Sequence, residues 1–193
     1  KENNLPPKIE DRPTAYTWTT VEPRAGLYVR RLCMHCLQPT CASVCPVGAI
    51  AKTKAGPVVY EPEKCIGCRY CIQACPFNVP KYQWDSPVPI MGKCRMCSDR
   101  LEAGKQTACA EICPTGATLF GDRADLIKEA ASRLEKDRKG YVQHIYGLEE
   151  AGGTSVLMLS SVPFASLGLK TDVPSEPLPL LTWQILSKVP DFV

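Results

Sequence analysis

Apolar positions along the chain fall into short runs, and only one segment keeps a helical period. From Asp122, "DRADLIKEAASRLEKDRKG" places Leu126, Ile127, Ala130 and Leu134 on one stripe, which predicts a helix capped by Asp122 and ended by Gly140. "AIAKTKAGPVVYEPEKC" predicts a hairpin that turns at Ala55-Gly56-Pro57 and returns as "VVY". "PVGAIAKT" and "PTGATLFG" turn on Gly48 and Gly116 into β-prone residues. "YVQHIYGLEEAGGTSVLML" predicts two strands around Gly152-Gly153. Within "TSVLMLSSVPFASLGL" (154–169) the expectation is a buried strand followed by a turn at Pro163. That run falls short of the ~20 apolar residues of a membrane span. The tail "DVPSEPLPLLTWQILSKVPDFV" crowds Leu180, Leu181, Trp183, Ile185 and Leu186 between prolines. It is expected to be extended, lying against a partner or against its own chain.

Elements this short leave a modest core, and composition says what replaces it. The 193 residues include 12 cysteines and 18 prolines, with only 7% aromatics, so the fold is stapled by something other than packing. The cysteines form three quartets. Cys33, Cys36, Cys41 and Cys45 read C-x2-C-x4-C-x3-C-P; Cys65, Cys68, Cys71 and Cys75 read C-x2-C-x2-C-x3-C-P; Cys94, Cys97, Cys109 and Cys113 read C-x2-C-x11-C-x3-C-P. In each, the third and fourth cysteines share one side of a short helical turn that proline ends. A strand, a cysteine loop, a short helix and a strand make a ferredoxin-like module, and the fold class is α+β.

The second quartet is the bacterial ferredoxin run, in which three thiolates hold one [4Fe-4S] cluster and the fourth reaches another. By that rule Cys33, Cys36, Cys41 and Cys75 hold one cluster, and Cys65, Cys68, Cys71 and Cys45 a second. Ile66, Gly67, Ile72, Phe77 and Val79 would form the apolar wall and supply amides to the sulfurs. Disulfides fit poorly, because the C-x2-C pairs crowd sulfurs too closely for a bridge framework. A third thiolate overfills a tetrahedral zinc knuckle, and redox dithiols would not recur so densely. His35 is expected beside the sulfurs or on the surface rather than as a ligand, and His144 to be structural. The formal charge is +3 with neutral thiols, and clusters bound by thiolates would turn the chain acidic. Arg30, Arg31, Lys64, Arg69, Lys93 and Arg95 flank the quartets, either facing these anions or as solvated surface charges. No nucleic-acid motif, nucleotide loop or catalytic dyad is present, and "KENNLPPKIEDRP" has no secretory signal pattern.

The cysteine order, with "CPFNVPKYQWD", "CSDRL" and "GGTSVLMLSSVPF", resembles the iron–sulfur electron-transfer subunits of the DMSO reductase type over residues 1 to 170. The last stretch is most similar to hydrogenase-2-type and quinone-reductase-type members, and formate dehydrogenase beta subunits belong to the same type. The resemblance implies tandem ferredoxin-like modules of the bacterial two-cluster kind, with small β-hairpins, short helices, one longer helix in the C-terminal half and an extended tail. It divides the chain into a module at 33–82, a second module framed by 1–32 and 83–121, helix plus strands at 122–170, and a partner-contacting tail at 171–193. Such subunits usually carry four quartets, and there a stretch similar to "KENNLPP" follows the first; by that comparison this sequence lacks the first quartet. Cys94, Cys97 and Cys109 would then hold a third cluster whose fourth thiolate comes from upstream of Lys1, with Cys113 reaching a further one. A complete chain would instead close all four on one cluster. Three clusters are expected, or four with such a quartet.

The function implied is a non-catalytic subunit passing single electrons between a catalytic subunit, molybdopterin-type or hydrogenase, and an integral-membrane quinone-reactive subunit or cytochrome c. It implies a hetero-oligomer of anaerobic respiration, peripheral at the periplasmic face of the cytoplasmic membrane, with no transmembrane helix of its own. Two rival classes stand beside it: a self-contained redox enzyme with an open cluster site at the third quartet, and a scaffold whose clusters only staple the fold.

Overall fold

In the computed structural model, residues 12–188 are described; the expectations attached to "KENNLPP" lie outside the described residues. The first element among the described residues is a hairpin that the hydrophobic pattern did not reveal. β1 (Thr20–Arg24) pairs antiparallel with β2 (Leu27–Arg31), Thr20 facing Arg31. Ala25 and Gly26 link them with φ of 49° and 77°, the left-handed pair that a tight two-residue hairpin requires. Then come α1 (Thr40–Ser43), β3 (Ile50–Lys52) and β4 (Val58–Tyr60). β3 and β4 form the expected hairpin, with Ile50 facing Tyr60. α2 (Tyr70–Ala74) precedes a third small hairpin, β5 (Lys81–Tyr82) with β6 (Met91–Gly92). α3 (Ser98–Glu102) fills the long third-quartet spacer, and α4 (Ala108–Glu111) carries Cys109.

α5 (Arg123–Lys136) starts as expected, with Asp122 Oδ1 accepting the Ala124 N–H at 2.8 Å. It stops before Gly140, whose N–H instead donates to Asp137 Oδ1 at 2.9 Å. The β-prone residues after Gly116 form no strand, and among the described residues none faces them. The two strands expected around Gly152-Gly153 are reduced to a loose antiparallel arm. Val142 N–H donates to Ser160 O at 2.8 Å, and Tyr146 and Met158 exchange bonds of 3.1 and 2.9 Å. Regular pairing fails because the arm's far end binds elsewhere. Thr154 bridges to Cys36, Ser155 N–H reaches the carbonyls of Met34 and His35, and Leu37 N–H donates to Gly153 O.

The tail is not extended. Residues Leu178–Leu186 form α6, with prolines confined to its start, where their missing N–H costs nothing. α6 packs beside α1, and Leu180, Leu181, Trp183 and Ile185 remain exposed.

Two small cores hold the body. Val29, Met34, Tyr146, Phe164 and Leu167 join β2, the first cysteine loop and the C-terminal arm. Arg31 reinforces this join by donating to the carbonyls of Leu167 (2.5 Å) and Gly168 (3.1 Å), while its Nε lies 3.4 Å from the buried Glu22 carboxylate. Ile50, Val58 and Met91 form the second core, with Cys41, Cys71, Tyr60 and Tyr82 packed against it. At Gly147 the arm leaves no room for a side chain. Its φ is 93°, and an added Cβ would strike the Val156 carbonyl and Thr154 Oγ1. Gly147→Ala is therefore expected to destabilise the loaded protein by about 1–3 kcal/mol through overpacking and backbone strain. Thermal unfolding followed by circular dichroism checks this, and an unchanged midpoint would contradict it.

Candidate metal centres

Each C-x2-C step must fold back within two residues, and the same conformation does this three times. The residue before the second cysteine is left-handed: His35 (φ 50°), Gly67 (φ 72°) and Met96 (φ 52°). That turn aims main-chain N–H groups at the first sulfur. Gly67 N–H donates to Cys65 Sγ and Met96 N–H to Cys94 Sγ, both at 3.4 Å, and the His35 N–H acts likewise on Cys33. A second repeat follows each Cys-Pro step. Gly48 (φ 63°), Asn78 (φ 53°) and Gly116 (φ 64°) are left-handed, and their N–H groups donate to the carbonyls of Cys45, Cys75 and Cys113. Glycine and asparagine are the residues that tolerate this conformation best. The next N–H then points at the fourth sulfur: Ala49 to Cys45 Sγ at 3.2 Å, and Val79 to Cys75 Sγ at 3.5 Å.

α1 and α2 pack on each other and distribute their cysteines between two groups. Cys45, Cys65, Cys68 and Cys71 line one cavity, with Ile50, Tyr60 and Ile66 in its wall. Cys33, Cys36, Cys41 and Cys75 form the other, close enough for a charge on one sulfur to disfavour charge on its neighbours. The Ile50–Val58–Met91 core is shared by the two groups, since Cys41 of one and Cys71 of the other both pack against it.

Burial dominates the thiols. It pushes Cys33, Cys41 and Cys75 up, and Cys36 to about 12 with the Cys33 and Cys75 charges adding. Burial likewise takes Cys71 to about 11, with Cys65, Cys68 and Cys45 contributing. At Cys45 burial also pushes upward, but N–H groups of Val47, Ile50, Ala49 and Gly48 outweigh it and hold the thiol below its usual value.

The third quartet behaves differently. Burial raises Cys94, and the Cys33 charge contributes, so this quartet abuts the first group. Cys97 precedes α3, and Cys109 Sγ lies 3.4 Å from Thr107 Oγ1. Arg100 of α3 pairs with Glu111 of α4, tying the spacer across itself. Cys113 stands on its own turn, where the Thr115 hydroxyl and then the Thr118 N–H lower its thiol to about 7.

Comparison with known proteins bears on what these thiols serve. Residues 25–123 match the family model described as the 4Fe-4S dicluster domain. The chain belongs to that family. A protein of Nitratidesulfovibrio vulgaris (strain Hildenborough) is 42% identical over 186 residues, covering 93% of this chain and 50% of its own. The Hydrogenase-2 operon protein HybA of Escherichia coli O157:H7 is 41% identical over 168 residues, covering 74% and 51%. The nitrate-inducible formate dehydrogenase iron-sulfur subunit of Escherichia coli K12 is 40% identical over 128 residues, covering 65% and 43%. The chain thus spans about half the length of the curated relatives it matches.

The dicluster chain's donors suit [4Fe-4S] clusters: all-thiol groups around a volume, with main-chain N–H groups aimed at the sulfurs. Among the described residues no three His, Cys, Asp or Glu side chains converge on a single ion. His35 is wholly buried, and its Nδ1 accepts the Val58 N–H at 2.9 Å, so it anchors β4 rather than facing solvent. Burial, then Lys93 and Lys52, push it down to about 2, which keeps it neutral. His144 pairs with Glu150 at 2.7 Å.

Most basic residues flanking the quartets are occupied elsewhere. Lys64 pairs with Glu61 and Arg95 with Asp99, while Arg69 lies over the rings of Tyr82 and Trp84. Lys93 is the exception that turns inward. The pattern gave no sign of Tyr60, which lines the Cys65 cavity, accepts the Met91 N–H at 3.4 Å, and is pushed up by burial and then by Cys65. Nor did it show that "GGTS" clamps the first cysteine loop through main-chain bonds.

Raised thiols are protonated at neutral pH, so Cys36 and Cys71 must each release a proton on ligation, and loading is favoured as pH rises. Iron retained against a fixed chelator concentration is expected to increase from about pH 6.5 to about pH 8.5. Retention that is flat across this window would contradict the reading.

Proposed function

We propose that this dicluster chain is a non-catalytic electron-transfer subunit, passing single electrons between a catalytic oxidoreductase subunit and a membrane quinone-reactive subunit or cytochrome. The observation that carries the reading is the pair of four-thiol groups that share one thin apolar core. When bound, a [4Fe-4S] cluster supplies a one-electron couple at a potential its surroundings tune. In this reading Cys33, Cys36, Cys41 and Cys75 hold one cluster, and Cys45, Cys65, Cys68 and Cys71 a second. Cys94, Cys97 and Cys109 hold a third, with Cys113 completing it or reaching a further one.

The protein's share of the work is to present thiolates, shield them from water and aim N–H dipoles at sulfur. Residues 33–82 form one ferredoxin-like module, and residues 83–121 with the β1–β2 hairpin belong to a second. The names of the relatives, a hydrogenase-2 operon protein and a formate dehydrogenase iron-sulfur subunit, support a hetero-oligomer with a catalytic partner of hydrogenase or molybdopterin type. A peripheral place at the periplasmic face rests on resemblance. No helix among the described residues is long and apolar enough to cross a membrane.

Iron content and EPR of the dithionite-reduced, anaerobically purified protein test this. About four iron atoms per cubane give about twelve for three clusters, and about sixteen if a further quartet belongs to the protein. Cys71→Ala is expected to lose about four of them and one reducible signal. Zinc in place of iron, or iron that cannot be reduced, would overturn the proposal.

A further inference from the structure

Lys93 is a lysine in an unusual place. It follows β6 directly and is only 3% exposed. Its backbone is fixed because Gly92 lies so tightly on Ala15 that a Cβ there would overlap the Ala15 carbonyl. From this position Nζ donates to the carbonyl of Val58 and, at 3.2 Å, to that of Cys94. Among the described residues no carboxylate lies within ion-pair reach of it. A buried ammonium bonded only to carbonyls carries a large desolvation cost unless an anion is close by.

The anions it faces are sulfurs. Val58, whose carbonyl it holds, donates its own N–H to His35, between Cys33 and Cys36, and belongs to the core against which Cys41 packs; the ammonium accordingly favours charge on Cys33 and Cys41. On Cys94 it acts beside Arg30. Lys52 is a second cation on the same group. Its Nζ donates to His35 O and Ser155 Oγ, both at 3.0 Å, and it acts on Cys33 and Cys36. In the other group Arg69 lines the cavity but lays its guanidinium over Tyr82 and Trp84, and at Cys71 the leading influences are burial and neighbouring cysteines.

We propose that Lys93, seconded by Lys52, is the positioning cation that raises the reduction potential of the cluster held by Cys33, Cys36, Cys41 and Cys75. Reduction adds one negative charge to an already anionic site, and a fixed ammonium in a dry surrounding favours the reduced form. The network Cys94–Lys93–Val58–His35 also joins the third quartet to the first, so one charge borders both. The inference rests on the electron-transfer reading above.

The test is an EPR-monitored redox titration of the intact, iron-loaded protein. In Lys93→Met the Cys33-group midpoint is expected to fall by at least a ten-fold change in the reduction equilibrium, about 59 mV for a one-electron couple, with the adjoining third-quartet midpoint free to fall with it, while the Cys45-group midpoint holds. Lys93→Arg should keep the parent value, and Lys52→Met should lower the same midpoint by less. Unchanged midpoints in Lys93→Met, or a uniform fall of all of them, would overturn the inference. If Lys93→Met loses its iron, Lys52→Met decides: a fall sustains the inference and no fall overturns it. A parent protein without reducible clusters would defeat the electron-transfer reading instead, so the two failures are distinguishable.

Discussion

A ring of thiolates enclosed by protein is a dense local anion, and everything around it must make that charge tolerable. Water is largely excluded from the Cys33 group, and its thiols are accordingly pushed upward. The compensating groups are main-chain N–H dipoles and a small number of cations. Part of the backbone's irregularity serves the dipoles. Left-handed residues such as His35, Met96 and Asn78 cost conformational energy, and in return they turn amides toward sulfur at 3.2–3.5 Å.

The same constraint explains how thin the apolar structure is. Ile50, Val58 and Met91 form a core against which a cysteine of each sulfur group packs, so the second core lines the sites as well as supporting them. The other core anchors the first cysteine loop to the C-terminal arm through Met34, Tyr146 and Phe164. Phe77, two residues beyond Cys75, meets Tyr146 edge-on with centroids 6.4 Å apart. A change in the arm is therefore felt at the loop even though the arm contributes no sulfur.

What the sequence made legible was whatever is local. Cysteine spacing gave the short helices, Gly56 gave the β3–β4 turn, and Asp122 gave the start of α5. The conformation after each Cys-Pro step was half visible, since Gly48 and Gly116 announce it while Asn78 does not. The β1–β2 hairpin escaped because its buried face includes Glu22, 1% exposed and held by Arg24 and Arg31, which breaks any apolar alternation. The "GGTSVLML" segment looked like a strand because its residues favour one. Its main-chain partners are instead the carbonyls and amides of a loop more than a hundred residues earlier, and no periodicity reports those. The tail looked extended because prolines usually end helices, whereas here they begin one. Lys93 was visible as a charge beside Cys94, but its inward direction depends on Gly92 and Val58.

Cys41 and Cys45 stand one helical turn apart yet belong to different sulfur groups, and Cys71 and Cys75 do the same on α2. In the proposed pairing neither half of the chain closes its own ring. The two halves would exchange ligands as domain-swapped partners do, within a single chain. Removing one sulfur opens one ring, whereas detaching a whole helix would open both together. The sequence between Cys33 and Cys75 thus works as one piece, in a way that no division into consecutive domains describes.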